Sequence, residues 1–307
     1  MDERFAEVGN EITLCYETFG DPAAPPVLLV MGLGMQMVGW DERFCHDLAG
    51  RGFFVTRFDN RDAGRSTHID HVAPPTPLKI VSRRIPNPAY RLADMAHDVA
   101  GLLGVLGLRD AHVVGASMGG MIAQTLAARH PDRVRSLTSI MSNTGARWSG
   151  QPALRSYPVL LNRPPGEREA YIEHAMRMWS LIGSPGFDRE ERELRTLIGL
   201  GFDRAFTPRS TGRQLAAIIA SGDRRRELRA VRAPTLVIHG EADRLVAPSG
   251  GRATAKAIPG ARLMTIPGMG HDLPRGVWPQ VLDAIERHAR AADAAAERGV
   301  PGRVQAA

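Results

Sequence analysis

Lysine is nearly absent: Lys79 and Lys256 are the only two in 307 residues, so the excess of basic over acidic side chains, 39 against 33, is carried almost wholly by arginine. The resulting formal charge of +6 and pI of about 10.0 would, if gathered into one patch, point to nucleic acid or an anionic surface. The arginines are instead spread along the chain. The densest run, Arg224-Arg225-Arg226, has no aromatics interleaved and reads as a solvated face, so no nucleic-acid partner is expected. Cysteine is equally scarce. Cys15 and Cys45 are too few and too far apart for a zinc knuckle or a disulfide framework, and free thiols in a reducing compartment are the simpler account. No apolar run is long enough to span a bilayer, and the opening MDERFAEVGN is charged and unlike a signal peptide. The expectation is a cytoplasmic protein without a membrane partner. Neither lysine follows a glycine, which removes a Walker loop, and no HExxH or other closely spaced ligand set is present; no metal and no cofactor are expected.

What remains is ordinary globular composition, 43% hydrophobic and 23% charged, in a chain long enough for one large domain with an insertion. Short apolar runs bounded by turn residues alternate with longer amphipathic stretches, the pattern of an α/β fold with a mostly parallel central sheet flanked by helices. The spacing predicts strands at Ile12–Phe19 (an antiparallel edge), Val27–Met31, Phe53–Phe58, His112–Gly115, Val134–Met141, Thr235–His239 and Arg262–Ile266 (the last two buried), with helices at Leu92–Leu106, Met118–Arg129 and Trp278–Ala291. Between 143 and 222 strand signals vanish and helices are expected at Pro152–Leu161, Glu167–Ile182, Arg189–Leu200 and Arg209–Ser221, a helical cap inserted into one discontinuous domain of residues 1–142 and 223–291. The proline-rich Ile69–Pro88 reads as a long surface loop near the active-site mouth, and 292–307 as a flexible tail.

Gly115-Ala116-Ser117-Met118-Gly119 falls between an expected strand and an expected helix, the context in which G-x-S-x-G carries chemistry. A serine at so sharp a turn needs unusual backbone angles and small neighbours. Its hydroxyl then stands above the sheet, beside the amides of the helix N-terminus. A glycine-serine turn that merely caps a helix is the alternative. A serine nucleophile needs an imidazole base and a carboxylate to orient it, which follow the serine in the order acid, then histidine. Asp243 lies in the loop after Thr235–His239 and ahead of a turn that could support it; Glu241 competes for the same role. His271, in the loop Pro267-Gly268-Met269-Gly270, is the base candidate, set apart by that loop from His130, His239 and His288.

Met31-Gly32-Leu33-Gly34, after the first buried strand, has two readings. In a hydrolase it supplies the second oxyanion donor, placed at Leu33 opposite the amide of Met118, with Gly32 against the substrate. In a dinucleotide-binding protein it is a pyrophosphate loop, with Asp59 taking the ribose; Met37 stands where that motif needs its third glycine.

Leu28-Leu29-Val30-Met31-Gly32, Arg57-Phe58-Asp59-Asn60-Arg61-Asp62-Ala63-Gly64-Arg65-Ser66, the serine elbow and Pro267-Gly268-Met269-Gly270-His271 together resemble the α/β-hydrolase superfamily. Within it they are similar to the esterase branch that includes aclacinomycin methylesterase. The similar blocks span roughly two thirds of the chain. The resemblance implies the α/β-hydrolase fold, a structural turn at Asp59–Ser66, and a serine esterase acting through Ser117, His271 and Asp243 on a small to medium, fairly apolar ester. Met31 replaces the histidine that many relatives carry before the oxyanion glycine, as in the methylesterase branch. Serine at the elbow argues against haloalkane dehalogenase and most epoxide hydrolase chemistry. Lactonase, thioesterase, carbon–carbon bond hydrolase and cofactor-free perhydrolase share the machinery, and a non-catalytic receptor on the same scaffold is the reading from another class. Met176 and Trp179 are candidates for lining the pocket, with Met178, Leu181 and Ile182 beside them; core packing is the alternative for each. The chain is expected to be a monomer or homodimer.

Overall fold

A computed structural model describes residues 2–153 and 164–299. Eight strands form one sheet in the order β1-β2-β4-β3-β5-β6-β7-β8: β1 Arg4–Gly9, β2 Ile12–Phe19, β3 Pro26–Val30, β4 Phe54–Phe58, β5 Ala111–Ala116, β6 Val134–Ile140, β7 Thr235–Gly240 and β8 Arg262–Ile266. β1 and β2 are antiparallel and every pairing from β4 to β8 is parallel. The helices are α1 Glu42–Gly50, α2 Pro77–Val81, α3 Leu92–Val105, α4 Met118–Arg129, α5 Arg168–Ile182, α6 Glu191–Arg204, α7 Ser210–Ser221, α8 Arg225–Leu228, α9 Ser249–Ala257 and α10 Trp278–Gly299.

The period of two in the central strands sorts side chains to opposite faces. Leu28, Val30 and Val113 pack with Met95, Val99, Leu102, Ile122 and Leu126 of α3 and α4. Val27, Leu29 and Val114 pack with Phe44 and Leu48 of α1 and with Val281, Leu282 and Ile285 of α10. On α3 the buried Leu92, Met95, Ala96, Val99, Leu102 and Leu103 recur at helical spacing, the stripe that a helix covering a sheet requires. Parallel strands covered on both faces leave the loops at their C-terminal ends as the place where polar groups gather.

Several expectations need correction. Ile12–Phe19 is not an edge strand, because β1 pairs outside it. β8 is the opposite edge and is largely exposed, with Leu263 38% accessible. Arg224 is not solvated: it is buried, its guanidinium donating to the carbonyls of Met121 (3.1 Å) and Asn143 (2.7 Å) and to Gln124 Oε1 (2.9 Å), while Arg225 and Arg226 stay exposed. The last helix continues through 292–299, where the sequence pattern predicts a flexible tail; 300–307 lie outside the described residues. Ala292 is buried, and the Asp293 carboxylate lies 3.2 Å from the buried His112 Nε2. Within the proline-rich loop α2 forms one short helix. Of the helix expected at 152–161, residues 154–161 lie outside the described residues.

Between β6 and β7 the described regular elements are all helices, and α6 and α7 are tied to the turn after β4 by buried ion pairs. Arg204 reaches Asp59 Oδ2 (2.9 Å) and Glu3 Oε1 (2.7 Å); Arg213 grips both oxygens of Asp62 at 2.8 and 2.6 Å. Burial alone would raise the Asp62 carboxyl, but the bonds from Arg213, Tyr90 and the Ile69 amide hold it below its ordinary value. A depressed carboxyl stabilises the fold above the ordinary aspartate pKa, and that contribution is lost as pH falls through the lower folded value. Arg213→Ala breaks a buried pair. Asp62 keeps Tyr90 Oη at 2.7 Å and the Ile69 amide at 3.0 Å, so the expected cost is at the lower end of such losses, about 3 kcal/mol. Denaturant unfolding at neutral pH checks the loss, and the acid-unfolding midpoint is expected to rise.

Candidate active site

Ser117 sits between β5 and α4 with φ 56° and ψ −118°, a conformation that L-residues rarely adopt. Two close approaches hold it there. A Cβ on Gly119 would lie 2.1 Å from the carbonyl oxygen of Val30, and one on Gly115 would lie 2.2 Å from that of Gly119. Glycine at both positions is therefore a packing requirement of the elbow, and the backbone strain at Ser117, of order 1–3 kcal/mol, is sustained by the strands beneath. The Ser117 amide is spent on the Ile140 carbonyl at 2.9 Å.

His271 reaches the serine from the loop after β8. Its Nε2 lies 3.0 Å from Ser117 Oγ and its Nδ1 2.7 Å from Asp243 Oδ2. A carboxylate can only accept, so Nδ1 carries the proton and Nε2 offers its lone pair to the serine hydroxyl. Asp243, in the loop after β7, is itself fixed: its Oδ1 accepts from the amides of Leu245 (2.9 Å) and Val246 (2.8 Å). Glu241 is exposed, and its Oε1 accepts from Thr265 Oγ1 instead. The backbone joins the two loops, with the Ala242 amide donating to the Met269 carbonyl at 2.9 Å.

The glycine loop after β3 lies against Ser117. A Cβ on Gly32 would be 3.2 Å from that of Ser117, and the Gly34 amide donates to Gln214 Oε1 of α7 at 2.8 Å. Neither the Leu33 nor the Met118 amide donates to any described residue, and Met118 opens α4, where the helix leaves its first N–H groups unpaired. Asp59 is engaged elsewhere, accepting from the Met37 amide (2.6 Å), the Arg65 amide (3.0 Å) and Arg204. The dinucleotide reading loses its ribose ligand, and the 59–66 segment is the turn that the resemblance implies.

Met176 is buried in α5 and Trp179 is half-buried there. A groove of about 510 Å³ bounded by Arg83, Trp148, Ile219 and Asp223 contains none of these residues. His239, at the end of β7, is a neighbour that its sequence setting does not reveal. Fully buried, it donates from Nε2 to the Val246 carbonyl (2.8 Å), lies 3.5 Å from Asp243 Oδ2, and has an Nδ1 with no partner among the described residues. Burial pushes its pKa down, so it stands neutral behind Asp243.

This sheet, elbow and loop arrangement is that of the α/β-hydrolase fold family, to which the chain belongs; the family's model, described as the alpha/beta hydrolase fold, matches residues 25–177. Among its relatives are the rhodomycin D methylesterases DauP of Streptomyces sp. (strain C5) and DnrP of Streptomyces peucetius. Each is 32% identical over 304 residues, 92% of this chain and 97% of the relative. The crystal structure of the esterase RhEst1 from Rhodococcus sp. ECU1013 superposes with a TM-score of 0.74 over 95% of this chain and 99% of that one, at 20% identity, a likeness of fold. Among the described residues no helix is long and apolar enough to cross a membrane.

Proposed function

We propose that this chain hydrolyses a carboxylic ester through an acyl-enzyme on Ser117, with His271 as general base and acid and Asp243 as its orienting carboxylate. The observation that carries the reading is the relay itself, Ser117 Oγ to His271 Nε2 at 3.0 Å and His271 Nδ1 to Asp243 at 2.7 Å. Ser117 Oγ attacks the ester carbonyl as His271 takes its proton, and the Leu33 and Met118 amides receive the oxyanion. Collapse expels the alcohol, which leaves with that proton. Water, deprotonated by His271, then frees the acid and restores the serine.

The methylesterase relatives favour a methyl or other small-alkyl ester, whose alcohol needs little room. Specificity then rests on the acyl side, which we assign to the cap formed by 143–222, with Gly32, Met176 and Trp179 lining the pocket. A fluorophosphonate probe and a panel of methyl and longer alkyl esters, lactones and thioesters test the reading. Labelling of the folded chain and preferential cleavage of small-alkyl esters are expected. A chain that neither labels nor cleaves any of them would be a receptor on the same scaffold.

A further inference from the structure

The histidine loop is held from two sides, and only one of them belongs to the sheet. On the other side lies the short segment that joins α5 to α6. The His271 amide donates to the Ile182 carbonyl at 2.8 Å, and the Gly186 amide donates to the Gly268 carbonyl at 2.9 Å. Between these two bonds the Ser184 hydroxyl accepts from the Gly270 amide at 2.8 Å and donates to Asp272 Oδ1. The loops meet through bare backbone: a Cβ on Gly270 would lie 2.4 Å from Gly183, and one on Gly186 would lie 2.6 Å from the Cα of Gly268.

We propose that Ser184 is a positioning residue for His271, its hydroxyl pinning the backbone amide before the catalytic histidine and the carboxylate side chain after it to the inserted helices. The inference rests on the esterase reading above. Its physical basis is that a hydroxyl which accepts from the Gly270 amide and donates to the Asp272 side-chain carboxylate ties down the main chain just before 271 and the side chain just after it, and so restricts the direction in which the imidazole leaves the main chain. Ser184 is itself buried, and α5 ends beside it, with the Gly183 amide returning to the Trp179 carbonyl at 2.8 Å. A displacement of the last turn of α5 is therefore transmitted to the imidazole through this strap, so that the helices covering the site and the base beneath them move together.

The proposal separates from ordinary structural support by where its loss is felt. Ser184→Ala removes the hydroxyl without adding bulk, leaving the bonds from His271 to Ile182 and from Gly186 to Gly268 in place. Misplacing a base by a fraction of an ångström lowers the rate of attack, not the affinity for substrate, and a drop in kcat of about tenfold to a hundredfold is expected, with KM unchanged within about twofold. Asp272→Asn weakens the same strap from its other end, so the double variant is expected to be no slower than the slower single variant, as residues acting through one contact are non-additive.

The measurements are kcat and KM on p-nitrophenyl acetate, the rate of fluorophosphonate labelling, and thermal unfolding, all on the full chain. A fall in kcat and in labelling rate for Ser184→Ala, with the melting temperature held, supports the proposal. Wild-type kcat and labelling in Ser184→Ala overturn it, as does a loss confined to KM or effects of the two single variants that multiply in the double. If Ser184→Ala fails to fold, Asp272→Asn is read by the same criteria. A wild-type chain that neither turns over nor labels sinks the esterase reading instead.

Discussion

Replacing Ser117 by alanine is expected to lower kcat on the best ester of the panel by a factor on the order of 10⁶ and to abolish fluorophosphonate labelling, without loss of fold. The size follows from the division of labour at the site. Without Oγ there is no atom to form the acyl bond, and His271, however well placed against Asp243, has only water to activate. Residual hydrolysis above the uncatalysed rate would come from the amides of Leu33 and Met118 and from binding. Stability is expected to stay near wild type, because alanine keeps the Cβ and with it the strain of φ 56°. Ser117→Gly makes the complementary case. It removes the same nucleophile but relieves the left-handed conformation, and should be as inactive and about 1 kcal/mol more stable. Thermal unfolding of the two variants beside wild type checks this, and equal melting temperatures for all three would mean that the elbow is not strained.

The elbow was legible in the sequence for the reason that makes it work. A serine can stand at this turn between a buried strand and a helix only if the residues two before and two after it lack side chains, and Gly115 and Gly119 mark that constraint in the primary structure. The proposed acid and base were legible as loop residues after successive strands, and the turn after Asp243 holds its carboxylate through the amides of Leu245 and Val246. Other features depend on what a segment meets in three dimensions. β1 has only Ala6 and Val8 turned inward while Phe5 is exposed, too faint an alternation to announce a strand. α1 and α9 bury few residues each, and α9 does so largely through Gly250, Gly251 and Thr254, which carry almost no periodic apolar signal. Arg262–Ile266 has the composition of a buried strand but occupies a sheet edge, and strand order is not written in local pattern. Arg224 is drawn inward by the carbonyls of Met121 and Asn143 and by Gln124 Oε1, partners that become neighbours only after folding. His239 and Ser184 touch the Asp243 and His271 loops, and nothing in their own sequence surroundings distinguishes them from ordinary buried polar residues.

Asp243→Asn is expected to lower kcat by about 10⁴-fold while leaving KM and stability nearly unchanged, and the reason is a tautomer. The asparagine can still accept through its oxygen from Leu245 and Val246, since those amides bind Oδ1. Its amide nitrogen then takes the position of Oδ2, 2.7 Å from His271 Nδ1, where it presents N–H groups. The imidazole answers by placing its lone pair on Nδ1 and its proton on Nε2, so that the nitrogen 3.0 Å from Ser117 Oγ becomes a donor where an acceptor is needed. Flipping the amide to avoid this would aim its NH2 at two backbone amides, leaving buried donors opposed. His239, whose Nε2 is already committed to the Val246 carbonyl, offers no replacement acceptor. Glu241→Gln is the matched control. That carboxylate is exposed and meets Thr265, not the imidazole, and its variant should keep wild-type kcat within about twofold, surface changes of this kind being close to neutral. Steady-state kinetics on the pair separate the two carboxylates outright: a large loss at Glu241 with little at Asp243 would mean that the imidazole takes its orientation from the other loop position during turnover.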